Sequence, residues 1–344
     1  MLLRAIVRPL RLVLVTALAL TSAACGGPVV TNAATQETPT PEGSPTPAGS
    51  PTPTPTPAGG PLCGTSNPTT TQGGTLDCLS FAIVGDTRPP AIDDTTAYPK
   101  AIITKIYQDI ENAPGGRPSF ALSTGDYIFA SSTGTQAATQ MGYYLTAQQN
   151  YSGLVYHAMG NHECTGATNS NCATATTSNH NYSTFMSKMM TPLGNTKPYY
   201  AVHFQATDAS WTAKFVFVAA NAWDTAQATW LDSELSNPTT YTFVVRHESN
   251  TASTAPGVTP SKHIIDVHPY TMLLLGHTHI FEYLPTSREV ITGIGGAPLT
   301  GSINYGYVLV RQRQDGAIDF DVRDYQSGSS MQHFVVTKTG TPTQ

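Results

Sequence analysis

The sequence predicts an α/β fold from about residue 79 onward. Short apolar runs alternate with segments of helical spacing, the pattern of strands that feed helices. Five of those runs end directly in a turn carrying Asp, Asn, His or Glu. In α/β sheets ligands bind at the carboxyl ends of strands, so such turns can converge on one site.

The elements follow in order. SFAIVGD (80–86) is a buried-strand candidate that ends at Asp86, and Ile102, Ile103, Ile106 and Ile110 give residues 98–112 a helical stripe. SFALSTGD (119–126) is again a strand ending at an aspartate, and residues 135–149 have helical character. GLVYHAMGNHE (153–163) is a strand running into a polar loop. KFVFVAAN (214–221), YTFVVRHE (241–248) and TMLLLGHTH (271–279) repeat the form. From Gly301, YGYVLV, IDFDV and HFVVT read as closing antiparallel strands. The folded part, about 260 residues, is compatible with one domain.

Upstream the texture differs. Arg4, Arg8 and Arg11 precede the short apolar run Leu12–Leu20, and Ser22 and Ala24 suit cleavage just before Cys25. Residues 1–24 are therefore read as an export signal. The same segment resembles a bacterial lipoprotein signal with Cys25 as the lipid anchor, although Ser22 stands where a bulky apolar residue is expected. Plain cleavage would cut the same bond. Residues 25–62 are a Pro/Thr-rich linker that cannot bury a core and stays extended. Removing Cys25 from the five cysteines leaves Cys63, Cys78, Cys164 and Cys172. Export favours disulfides, and Cys63–Cys78 and Cys164–Cys172 would each close a short loop. Neither pair has the tight spacing of a structural zinc site. The net charge of −5 and the lack of a basic run give no nucleic-acid-binding face. The expected place is outside the cytoplasm, at the cell envelope or surface, with the membrane reached only through the lipid.

The five turns are GDTR (85–88), GDYI (125–128), GNHE (160–163), RHES (246–249) and GHTH (276–279). Singly each is a turn residue or a packed histidine. Together they offer carboxylate, amide-oxygen and imidazole donors, a set that suits Fe, Mn or Zn. Two such ions about 3.5–4 Å apart can clamp a phosphate and lower the pKa of a water between them.

These blocks, in this order, resemble the calcineurin-like metallophosphoesterases, which include the purple acid phosphatases. QATWLDSEL (227–235), GHTHIFEY (276–283) and GIGGAP (293–298) extend the likeness over the folded region. The resemblance implies two packed mixed β-sheets flanked by helices over residues 63–344. It implies hydrolysis of phosphate mono- or diesters, in small molecules or phosphorylated macromolecules, by a metal-bound hydroxide. Asp86 and His279 would hold one ion, Asn161, His247 and His277 the other, and Asp126 would bridge them. His162 would contact the phosphate or protonate the leaving group, with Glu163 orienting it.

The pattern breaks at Arg88, which stands where most of the family has a metal-binding histidine. A guanidinium offers no lone pair and cannot ligate. Purple acid phosphatases compensate with a tyrosine three residues after the bridging aspartate, but here that residue is Phe129. Arg88 is thus either a phosphate clamp or an outward-facing surface ion pair. A rival is a non-catalytic exported module that binds phosphate at a degenerate metal site. A serine hydrolase is disfavoured, since no G-x-S-x-G elbow is present.

Overall fold

The computed structural model describes residues 66–173, 179–251 and 255–343. The expected export signal, the lipid anchor at Cys25, the linker and Cys63 lie outside the described residues. The described residues fall within one compact unit.

In chain order the elements are β1 (Gly73–Leu76), β2 (Ser80–Val84), α1 (Lys100–Glu111), β3 (Phe120–Ser123), α2 (Gln136–Gln148), β4 (Leu154–His157), α3 (His180–Phe185), β5 (Tyr200–Ala206), β6 (Thr212–Val218), α4 (Thr225–Leu235), β7 (Tyr241–Arg246), α5 (Val258–Asp266), β8 (Met272–Leu275), β9 (Phe281–Leu284), β10 (Glu289–Thr292), β11 (Gly306–Gln312), β12 (Ile318–Asp324) and β13 (Ser330–Val336). They form a six-stranded sheet, β13-β12-β11-β2-β3-β4, and a seven-stranded sheet, β1-β5-β6-β7-β8-β10-β9. Within the first, β2, β3 and β4 are parallel neighbours, and the C-terminal strands join antiparallel through β11. In the second, β6, β7, β8 and β10 run parallel.

Side-chain alternation explains why the sheets stack. Phe215 and Phe243 point one way along β6 and β7 and meet Phe81 of the other sheet at ring distances of 4.9 and 5.2 Å. Phe120 stacks on Phe204 at 4.7 Å across the same interface. Each buried ring contributes about 1.5–3 kcal/mol of transfer free energy, and each well-angled pair about 0.5–1.5 kcal/mol more. The intervening residues Val216, Val218, Val244 and Leu273 face outward and pack with Leu231 and Leu235 of α4 and Ile265 of α5. On the far side α1 buries Ile103, Ile106, Tyr107 and Ile110. The result is the expected helix–sheet–sheet–helix sandwich.

Two buried cations tie the outer layer down. Lys214 of β6 reaches the carbonyls of Glu234 and Asn237 at the end of α4, where unpaired carbonyls and the helix dipole favour positive charge. Arg246 donates to the carbonyls of Glu248 and Val258, to Ser261 Oγ and to Asn250 Oδ1, fixing the chain around the turn after β7. No described helix is long and apolar enough to cross a membrane.

Candidate metal centre

Parallel neighbours end on the same edge, and this is what gathers the predicted residues. Asp86, Asp126 and Asn161 follow β2, β3 and β4 of one sheet. His247 follows β7, and His277 and His279 follow β8, of the other. Four of these residues bend the chain sharply through positive φ: Asp86 (55°), Asp126 (59°), His277 (75°) and His279 (46°). Such conformations cost about 1–3 kcal/mol each and persist at sites where the surroundings enforce them. Only three other described non-glycine residues share them, so the strain is concentrated here. Two glycines permit the close approach. A Cβ at Gly160 would lie 2.3 Å from Asp126 Oδ1, and one at Gly276 would lie 2.5 Å from Asp86 Oδ2.

On the Asn161 side the donor atoms converge tightly. Asn161 Oδ1 lies 3.2 Å from His247 Nε2 and 3.0 Å from His277 Nδ1. The two imidazole nitrogens are 3.3 Å apart, and His247 Nε2 is 3.3 Å from Asp126 Oδ1. Atoms ligating one ion at about 2.1 Å lie about 3.0 Å apart at adjacent octahedral corners and about 3.4 Å apart at tetrahedral ones. The spacing therefore fits a single cation. The backing also fits. His247 Nδ1 meets the Thr124 carbonyl at 2.8 Å, so the Nδ1–H tautomer leaves Nε2 with its lone pair toward the cluster. Asn161 Nδ2 donates to the Gly166 carbonyl at 2.8 Å, which aims Oδ1 inward.

The Asp86 side is looser. Asp86, Asp126 and His279 offer ligand atoms all within 4.8 Å of one another. His279 Nε2 is 3.5 Å from Asp86 Oδ1, while its Nδ1 meets the Pro298 carbonyl at 2.8 Å. Asp86 is held by the backbone N–H of His277, which links the first and last blocks of the sequence. Tyr127 points away, its hydroxyl donating to the Ala158 carbonyl.

Two expectations need correcting. Glu163 does not orient His162. Its carboxylate accepts the N–H groups of Asp126, Tyr127 and Gly160, each at 2.9 Å, and so locks two ligand-bearing turns together. A buried carboxylate beside three orphan N–H groups satisfies them first. Arg88 does not form a surface ion pair either. Its Nε lies 3.6 Å from Asp126 Oδ2, facing inward. His162 comes to the same oxygen, with Nε2 at 3.8 Å.

The disulfide expectation holds where it is visible. Cys164 and Cys172 are bonded to each other, closing the loop that supplies the Gly166 carbonyl. Asn221 ties that loop to the second sheet through Thr168, Ser170 and Cys172. Cys78 is disulfide-bonded, and its expected partner Cys63 lies outside the described residues.

The electrostatics ask for cations. Burial alone would raise Asp126, but His247, His162 and Arg88 hold it well below the usual carboxylate range. Asp86 is raised, chiefly by burial, with Asp126 adding repulsion. Burial would lower His247, yet Asp126 and Asp86 drive it well above the usual imidazole range, the mark of a strongly negative locus. Burial and the His247 charge push His277 down to about 4, so its lone pair is free at neutral pH. Oxygen and nitrogen donors without thiolate, backed by carbonyls, fit hard or borderline metal ions.

A family model described as calcineurin-like phosphoesterase matches residues 79–281. Among solved structures the chain is similar to a purple acid phosphatase from yellow lupin (Lupinus luteus) seeds, at 15% identity and TM-score 0.54, covering 79% of this chain and 55% of that chain. It is also similar to a dimetal phosphatase from Danio rerio, at 12% identity and TM-score 0.51, covering 76% of this chain and 100% of that one. The chain thus spans about half the length of the lupin protein. At these identities the likeness speaks for the fold. No curated protein sequence matches the chain.

Proposed function

The chain belongs to the calcineurin-like phosphoesterase family and is a metallophosphoesterase, and from that premise we propose that it hydrolyses phosphate esters at a two-metal centre. One observation carries the proposal: four donors, Asp126 Oδ1, Asn161 Oδ1, His247 Nε2 and His277 Nδ1, stand at the spacing of one coordination sphere. Asp126, grouped with Asp86 and His279 as well, would be the ligand that both ions have in common. Fe, Mn or Zn fits the donor set. Such ions, when bound, supply Lewis acidity toward phosphoryl oxygens and a water of lowered pKa.

The protein's own groups do the rest. Water adds to phosphorus, the ester phosphorus–oxygen bond breaks, and the departing oxygen takes a proton. Burial holds His162 down to about 4, so at neutral pH it is an uncharged imidazole. It acts as a hydrogen-bond donor to the phosphoryl group. Glu163 acts at a distance, keeping the Asp126 and Asn161 turns in contact.

The test is metal analysis of the purified protein, with p-nitrophenyl phosphate and bis(p-nitrophenyl) phosphate assayed across several divalent metals. Two ions per chain and turnover of an ester are expected. A folded, metal-loaded protein with no turnover would return the field to a binding module.

The place of action belongs to the same proposal. The charged start, short apolar run and Cys25 support an exported protein tethered to the membrane by lipid alone. Palmitate labelling that persists in a Cys25→Ala variant would rule the tether out.

A further inference from the structure

Arg88 stands at ion-pair distance from Asp126 but makes no hydrogen bond to it. Its Nε–H is buried and makes no hydrogen bond, and at 3.6 Å it is too far from Asp126 Oδ2 for a direct one. Its Nη1 donates only to the neighbouring Pro89 carbonyl at 3.1 Å. A buried donor left unpaired beside a cluster of ligands is costly unless something else meets it.

The side chain is nonetheless held in place. The guanidinium lies over the Phe129 ring, 4.8 Å from its centroid. His162 packs edge-on against the same ring at 4.5 Å. Phe129 in turn is fixed by its backbone, which donates to Gln140 Oε1 at 2.7 Å and accepts from Gln140 Nε2 and Asp93 N. Phe129, at the position where a ligating tyrosine is missing, thus braces both an arginine and a histidine aimed at one carboxylate oxygen. Both stop short of hydrogen-bond distance from it, at 3.6 and 3.8 Å. Neither hydrogen-bonds that oxygen, so either N–H can serve an anion oxygen that comes to lie beside it.

We propose that Arg88, positioned by Phe129, takes the third non-bridging oxygen of a phosphate monoester and selects dianionic monoesters over diesters. The inference rests on the hydrolytic function proposed above. Two phosphoryl oxygens suffice to face the metals. In a monoester the third is a charged, unsubstituted acceptor that matches a guanidinium. In a diester that oxygen is esterified, a poor acceptor carrying a carbon substituent into the Arg88–Phe129 wall. Selection thus comes both from the attraction and from the clash.

The test compares kcat/KM for p-nitrophenyl phosphate and bis(p-nitrophenyl) phosphate in metal-loaded full-length protein and in Arg88→Gln and Phe129→Leu variants. A second arm measures binding of inorganic phosphate by titration calorimetry, with metal content checked in every sample. Loss of one well-placed donor to a reacting oxygen costs about 10²–10³-fold. Arg88→Gln should lower monoester kcat/KM by that factor and diester kcat/KM by no more than about a tenth of it. Phe129→Leu should move the ratio the same way by less, and Arg88→Gln should weaken phosphate binding about tenfold or more. A wild-type preference for the diester, or equal losses on both esters, overturns the proposal. If no ester turns over in the wild type, hydrolysis itself is wrong. The binding arm then decides alone, and phosphate binding undiminished in Arg88→Gln overturns the Arg88 assignment.

Discussion

On the Asn161 side of the metal centre, four donors stand within 3.0–3.3 Å of their neighbours. His247 and Asn161 are also fixed from behind by carbonyls. On the Asp86 side, three protein donors stand within 4.8 Å, and an arginine occupies the place of a fourth. The first half has the donor spacing of one coordination sphere. The second offers three protein donors beside a fixed cation. A site can thus keep its charge balance while losing affinity for one ion, since Arg88 offsets Asp126 without ligating anything.

The largest effect tests what the halves share. Asp126→Asn removes the only charge common to both, and loss of several kcal/mol of transition-state stabilisation amounts to about 10³-fold or more in kcat. Metal content should fall at both positions. A variant that still held two ions would show that Asp126 does not bridge them.

Next comes the difference itself. Chelator titration should release metal in two phases, the weaker one from the Asp86 side. His279→Gln should erase the weak phase and His247→Gln the tight one. Release in a single phase, lost equally in either variant, would erase the distinction drawn between the halves.

A smaller effect should be confined to the tight half. The Cys164–Cys172 loop presents the Gly166 carbonyl to Asn161. A double Cys164→Ser, Cys172→Ser variant should lose about 2.5 kcal/mol of stability from the opened loop. Because groups that orient a ligand are typically worth about 10–100-fold, tight-site metal affinity should drop within that range while weak-site affinity holds. An unchanged tight phase would reduce the disulfide to a staple.

Much of this was legible in sequence, and the reasons are physical. Asp86, Asp126, Asn161, His247, His277 and His279 each follow an apolar run, and a strand end is the one place where sequence order fixes position in space. The strands at 281–284 and 289–292 were not legible, because four-residue runs carry little periodicity. The supports were hidden for another reason. The carbonyls of Thr124, Gly166 and Pro298 that aim three ligands belong to the backbone, which every residue has. Glu163 was assigned to the wrong partner because adjacency to His162 is visible in sequence and the orphan N–H groups of a distant turn are not. Phe129 read only as a missing tyrosine. Its use as a brace appears once Arg88 and His162 are seen on the same ring.

The last difference between the halves concerns acid. β4, which leads to Asn161, carries a buried imidazole, whereas β2, which leads to Asp86, carries none. His157 lies among Tyr127 and Tyr144, with Nε2 3.0 Å from Gln148 Oε1, and burial holds its pKa down to about 3. In the unfolded chain the ring takes a proton near pH 6.5; in the native protein it stays neutral far below that. Between those values the unfolded state binds more protons, so stability falls as pH falls through the window from about 6.5 to about 3. At about 1.36 kcal/mol per pKa unit, the penalty grows to about 5 kcal/mol at the acid end and is absent at neutral pH. His157→Gln removes one titrating group and should make denaturant-measured stability fall less steeply across that window, with His162 and His277 keeping their own shares. If wild type and variant lose stability in parallel from pH 6.5 to 4, the acid sensitivity lies elsewhere and β4 is no weaker than its neighbour.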